Sequence, residues 1–171
     1  GGADKFLKIY STSTLEQVHR IKKHTEWITA ISYSPDAVLL ASADRNGNLY
    51  VWESETAQQF YELRGHKAGI TSVSWRSDAN VLASASEDGT IKLWNMHDGK
   101  EIKSWTAHAG GVASVRYSMD GRLVSSGRDK HVKIWNGEGA VQKDIGGFTD
   151  LTLAGVFSHD NQRVISGDWT G

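Results

Sequence analysis

The sequence predicts an all-β chain built from a unit of about 42 residues repeated in register, and three observations predict it. Large aromatics recur: Trp52, Trp94 and Trp135 stand 42 and 41 positions apart, Tyr10 stands 42 before Trp52, and Tyr33, Trp75, Tyr117 and Phe157 are spaced 42, 42 and 40. Polar residues keep the same step, with His24, His66 and His108 at 42 and 42, and Asp36, Asp78, Asp120 and Asp160 at 42, 42 and 40. Between these columns lie short β-rich runs bounded by turn residues, with no helical period.

Each unit reads as four strands. The first is Ile28–Tyr33, Ile70–Trp75 or Val112–Tyr117, and the turn after it carries the recurring Asp. A second run of small and apolar residues follows, such as Val38–Ser42 and Val81–Ser84. A tight Gly-bearing turn leads to the third, Asn48–Trp52, Thr90–Trp94 or His131–Trp135, where apolar residues alternate with Lys as on a strand with one wet face. The fourth runs through Ala57–Leu63 and Glu101–Trp105. Four short antiparallel strands per unit make the blade of a β-propeller. Three full blades, residues 20–62, 63–104 and 105–145, are expected between two complementary half-blades, residues 1–19 and 146–171. The single domain so described accounts for all 171 residues.

Composition narrows the function. Nineteen basic against twenty acidic residues leave a net charge of −1, without the basic field that nucleic acid or an anionic membrane would need. With no Cys, disulfides, Cys-based zinc sites and thiol catalysis are excluded. The seven His lack metal-binding spacing, and the glycines punctuate strand turns rather than precede helices. No metal, cofactor, nucleic-acid or membrane partner is therefore expected. A Ser/His/Asp set that repeats at one spacing is scaffolding, since an active site occurs once, and no Gly-x-Ser-x-Gly elbow accompanies it. No compartment follows from these residues, although a soluble, cytoplasmic chain fits them.

Gly65-His66, Ser84 and Asp88-Gly89-Thr90-Ile91-Lys92-Leu93-Trp94 resemble the WD40 repeat family, and the likeness extends over essentially the whole chain. The residue after the third-strand Trp is Asn or Glu here, never the Asp of the family signature. The segment Ser166–Gly171 is similar to bacterial members, and a piece of a larger protein of that type is one expectation beside a cut or duplicated half-propeller. The resemblance implies a hydrogen-bonded tetrad in each blade: His66, Ser84, Asp88 and Trp94 in one, and His108, Ser125, Asp129 and Trp135 in the next. Buried imidazole and indole N–H groups need such partners. His24, Ser42 and Trp52 begin a third set in which Asn46 stands at the Asp position, so that blade is expected to be weaker.

The family further implies a non-catalytic platform that binds a protein or peptide at the channel rim. Trp27, which aligns with Gly69 and Gly111, is the first candidate contact because no blade architecture requires an aromatic there. Glu26, Asp44, Arg45, Lys67, Glu87, Arg128, Asp168 and Trp169 occupy neighbouring loop and turn positions. The half-blades predict self-association: residues 148–166 of one copy would pair with residues 1–19 of another to close eight blades, with a four-bladed monomer or a ligand-free structural or engineered fragment as alternatives. The composite blade, with Phe148 at the His position and Tyr10 at the Trp position, is expected to lack the tetrad.

Overall fold

The computed structural model describes residues 2–170, so Gly1 and Gly171, at the outer ends of the two half-blades, lie outside the described residues. All regular structure is β. A hairpin of β1 (Phe6–Tyr10) and β2 (Gln17–Lys22) comes first. Three four-stranded meanders follow. The first is β3 (Ile28–Tyr33), β4 (Leu39–Asp44), β5 (Leu49–Glu53) and β6 (Gln59–Leu63). The second is β7 (Ile70–Trp75), β8 (Val81–Ser86), β9 (Thr90–Asn95) and β10 (Glu101–Thr106). The third is β11 (Val112–Tyr117), β12 (Leu123–Gly127), β13 (Val132–Trp135) and β14 (Val141–Ile145). A final hairpin holds β15 (Thr152–Phe157) and β16 (Val164–Asp168). These are blades of a propeller. Strand β2 continues to Lys22, so the first hairpin reaches past the division at residues 19 and 20: Arg20, Ile21 and Lys22 still pair with Lys8, Leu7 and Phe6 before the loop to β3 begins.

The repeat holds down to local irregularities. The first strand slips register between Ile28 and Ala30, Ile70 and Ser72, Val112 and Ser114, and Thr152 and Ala154. Such a bulge bends the strand and increases its local twist.

Blades stack through small residues. Ala41 and Ala43 on β4, both fully buried, receive Val73 and Trp75 of the next blade in one apolar cluster. Ala83 and Ala85 on β8 share a second cluster with Val115 and Val112. A methyl side chain lets neighbouring sheets approach closely enough to pack without voids. Polar stitches reinforce the seams. Trp75 Nε1 donates to the Ser32 carbonyl at 3.0 Å, and Thr71 Oγ1 to the Val112 carbonyl at 2.8 Å. Thr152 Oγ1 donates to the Gly127 carbonyl at 3.0 Å and accepts from the Gly127 N–H at 2.9 Å. On the outer strand, Trp105 packs against the Gly139 turn and Trp135, whose ring centroid lies 5.6 Å away.

Candidate functional site

The turns that join second to third strands carry the chain's most concentrated polar chemistry. In the second full blade, Ser84 lies mid-strand in β8 and Trp94 near the end of β9, one pleat from register, so the indole reaches back over the serine. Trp94 Nε1 donates to Ser84 Oγ at 2.8 Å, and His66 Nε2 lies 2.7 Å from the same oxygen. His66 Nδ1 stands 3.1 Å from Asp88 Oδ2. The proton positions follow by elimination. An ionised Asp only accepts, so Nδ1 carries the imidazole proton; Nε2 then accepts from the Ser84 hydroxyl, whose oxygen accepts from the indole. The third blade repeats this with His108 to Asp129 and His108 to Ser125 both at 2.7 Å, and Trp135 to Ser125 at 2.8 Å.

In the first blade the carboxylate comes from a different position. His24 Nε2 and Trp52 Nε1 meet Ser42 Oγ at 2.7 and 2.8 Å, but His24 Nδ1 bonds Asp44 Oδ2 at 2.9 Å. Asn46 is exposed and donates its amide to Thr25 Oγ1 at 3.1 Å. This corrects two sequence-based expectations: the blade keeps a charged acceptor, and Asp44, with no exposed surface, is not a rim residue. The reason is geometric. Residue 44 occupies the place of Ser86, whose hydroxyl accepts the Asp88 N–H at 3.1 Å. Asp44 Oδ1 accepts the corresponding Asn46 N–H at 2.9 Å, and its longer side chain also reaches the imidazole. Asn48 Nδ2 completes the cage at 2.9 Å from Oδ2. The third blade has Gly127 there, because a Cβ would stand 2.3 Å from His108 Cγ.

Charge states fit this wiring. Burial pushes the His24, His66 and His108 imidazoles below their usual value, and it outweighs the neighbouring carboxylates that pull upward. Burial acts on Asp88 in the opposite sense, but donation from Thr90, Lys67 N–H and the Thr90 N–H holds it at about 2. Asp44 is likewise raised by burial and brought below the usual range by Asn48 and His24.

The final hairpin holds a substitute cluster. Phe148 stands at the histidine position, and Asp168 holds the place of Asp44. Asp168 accepts from Thr149 Oγ1 at 3.0 Å and Thr170 Oγ1 at 2.8 Å, and these two donors keep its carboxyl at about 2. Periodicity alone missed this site because a different residue pair supplies the donors. The signal was the Asp two positions after Ser166, the same offset as Asp44 after Ser42.

Around these clusters runs the rim. Each blade ties the residue before its first strand to the turn after its second: Arg45 N–H donates to the Trp27 carbonyl at 3.1 Å, Glu87 to Gly69 at 2.9 Å, Arg128 to Gly111 at 3.1 Å and Trp169 to Leu151 at 3.1 Å. The ladder lines up side chains that the blade itself does not use. Trp27 is 47% exposed, with the Arg45 guanidinium 5.2 Å from its ring centroid. Arg128 bonds Glu87 across a blade boundary at 2.9 Å. Trp169, 70% exposed, joins Arg128, Leu151 and Leu153 around a cavity of about 600 Å³. Lys67 is exposed, with its backbone N–H spent on Asp88 at 2.9 Å. Glu26 is half-buried and pairs with Lys5 at 3.0 Å. Trp27 and Trp169 stand in different blades and do not share a cavity.

The family model described as the anaphase-promoting complex subunit 4 WD40 domain matches residues 31–120. A 66 kDa stress protein of Physarum polycephalum is 42% identical over 55 residues, covering 31% of this chain and 9% of that protein. Apoptotic protease-activating factor 1 of Rattus norvegicus is 36% identical over 50 residues, covering 29% of this chain and 4% of that protein. The chain thus spans less than a tenth of the length of these curated relatives. With the family model covering more than half of its residues and the repeated blades built as described, the chain belongs to the WD40 repeat family.

Proposed function

We propose that this chain is a non-catalytic interaction platform that holds a protein or peptide partner on the rim, with Trp27 and Trp169 as anchors. The observation that carries this reading is their exposure at positions where the repeat elsewhere places Gly, Leu, Arg or Glu. Aromatics that stabilise no blade are candidates for binding energy, since truncating a buried aromatic anchor commonly weakens an interface by 2 kcal/mol or more, a figure of about that order. A WD40 domain supports a scaffold role in general. The alternative of hydrolysis is disfavoured by burial: Ser42, Ser84 and Ser125 each have no exposed surface and already accept an indole N–H. Peptides selected from a displayed library on the immobilised chain should bind Trp27→Ala/Trp169→Ala at least about tenfold more weakly, with the urea midpoint moved by less than the equivalent of about 1 kcal/mol. Selected peptides that bind both forms equally would remove the rim from the account and favour a purely structural role.

We further propose that two copies close one ring of eight blades, β16 of each pairing along β1 of the other. The register of the full blades, Leu40 to Trp52 and Leu82 to Trp94, would set Val164 opposite Tyr10 and Ser166 opposite Lys8. Apolar faces match as well. Ile165 holds the place of buried Ala41 and Ala83 yet is 64% exposed, and Ile31, at the place of buried Val73 and Val115, is 52% exposed. Pairing would cover both. Light scattering should give twice the 18.8 kDa chain mass, and Ile165→Lys should return it to one. A single-chain mass for the unaltered protein overturns the pairing.

A further inference from the structure

At the end of the blades opposite the tetrads, the turn between β3 and β4, the turn between β5 and β6, and the turn between β7 and β8 enclose a groove of about 460 Å³. Apolar side chains form part of its lining. Val38 is 58% exposed and Phe60 42% exposed, and Met96 is buried beneath them. Four carboxylates edge it, from Asp36, Glu53, Glu55 and Asp78. Asp78 is neutralised by Arg76 at 2.7 Å, but among the described residues Asp36, Glu53 and Glu55 make no ion pair. No Lys or Arg lines the groove.

The next blade supplies an internal control. At the same places it carries Asn95 for Glu53, His97 for Glu55, Asn80 for Val38 and, in the following turn, Arg122 for Asn80. The turn folds the same way without the acids: Glu53 N–H donates to the Gln58 carbonyl and Asn95 N–H to the Lys100 carbonyl, both at 2.9 Å. The fold therefore requires neither the glutamates nor the exposed valine. Unpaired negative charge around a trough with exposed apolar side chains selects a ligand with the opposite charge and an adjacent apolar group.

We propose that this groove binds a cationic peptide segment of a partner protein, an apolar side chain seated against Phe60 and Val38 and a neighbouring Arg or Lys held by Glu53 and Glu55. The site shares no residue with the rim and stands without it.

The test is fluorescence anisotropy of a short fluorescein-labelled peptide of alternating Arg and Leu, titrated with the full chain. Three variants are compared: Glu53→Asn/Glu55→His, which borrows residues that already fold in the next blade; Phe60→Ala; and the charge control Glu138→Gln in the third blade. Both groove variants should weaken binding about tenfold, and Glu138→Gln should leave it within about twofold. Equal weakening by Glu138→Gln, no response to the groove variants, or no binding at low salt overturns the proposal. An unchanged affinity in Phe60→Ala alone also overturns it, since pure charge attraction needs no groove.

Discussion

Asp44→Ala should destabilise the chain by about 3–5 kcal/mol, whereas Asn46→Ala should change stability by less than about 1 kcal/mol. The difference tests which residue serves the first blade's histidine. Asp44 has no exposed surface, and its loss strands the buried His24 N–H and the part-buried backbone N–H groups of Asn46 and Asn48 that it now accepts. Asn46 gives up one exposed bond to Thr25. A rescue separates the carboxylate from the position it occupies. Asp44→Ser with Asn46→Asp and Asn48→Thr copies Ser86, Asp88 and Thr90 of the next blade and should recover most of the lost stability. Urea unfolding of the four proteins checks the set; a larger loss in Asn46→Ala than in Asp44→Ala would reverse the assignment.

Acid should weaken the fold in two stages, and the first begins unusually high. The three imidazoles are held below their ordinary 6.5 by burial, so below that pH the unfolded chain takes up protons that the native chain refuses. A depressed pKa places the full stability above 6.5 and removes it as the pH falls toward the native values. Each histidine adds a slope that reaches at most about 1.4 kcal/mol per pH unit once the unfolded imidazole is fully protonated, so the three act together against the 5–15 kcal/mol that is roughly typical of a domain. The second stage follows from the carboxylates. Asp88 and Asp168 lie at about 2 against an ordinary 3.8, so the stability they lend persists above 3.8 and disappears as the pH approaches about 2. Unfolding free energies measured from about pH 7.5 to 3 should show both slopes. A flat profile between pH 7 and 5.5 would mean that the histidines charge freely in the native state, contrary to their buried bonds.

Most of the architecture was legible in the residues. A 42-residue step shared by His, Ser, Asp and Trp columns names the blade, and alternation within the third strand names its wet face. His66, Ser84, Asp88 and Trp94 could be grouped before any coordinate was known because a buried ring N–H demands a partner and the repeat offers the same ones each time. The reading went astray where one column substitutes for another. Asn46 sat in the Asp column, but hydrogen bonds are satisfied by reach and direction rather than by alignment, and Asp44, two positions earlier and fully buried, had both. By the same effect Asp168, a rim candidate in the sequence, also gathers Thr149 and Thr170 as donors.

By itself the sequence determined what recurs: the number of strands per unit, the small second-strand residues that seat the next blade, and the buried tetrads. These are local or periodic demands, and each repeat states them again. Only the tertiary structure decided what differs between repeats. The Trp169 cavity and the acidic groove beside Phe60 each depend on which turns of adjacent blades face one another across a seam, and the Asp44 cage on how one blade's entry loop meets its own turn; these neighbourhoods are fixed by packing in three dimensions rather than by any spacing along the chain.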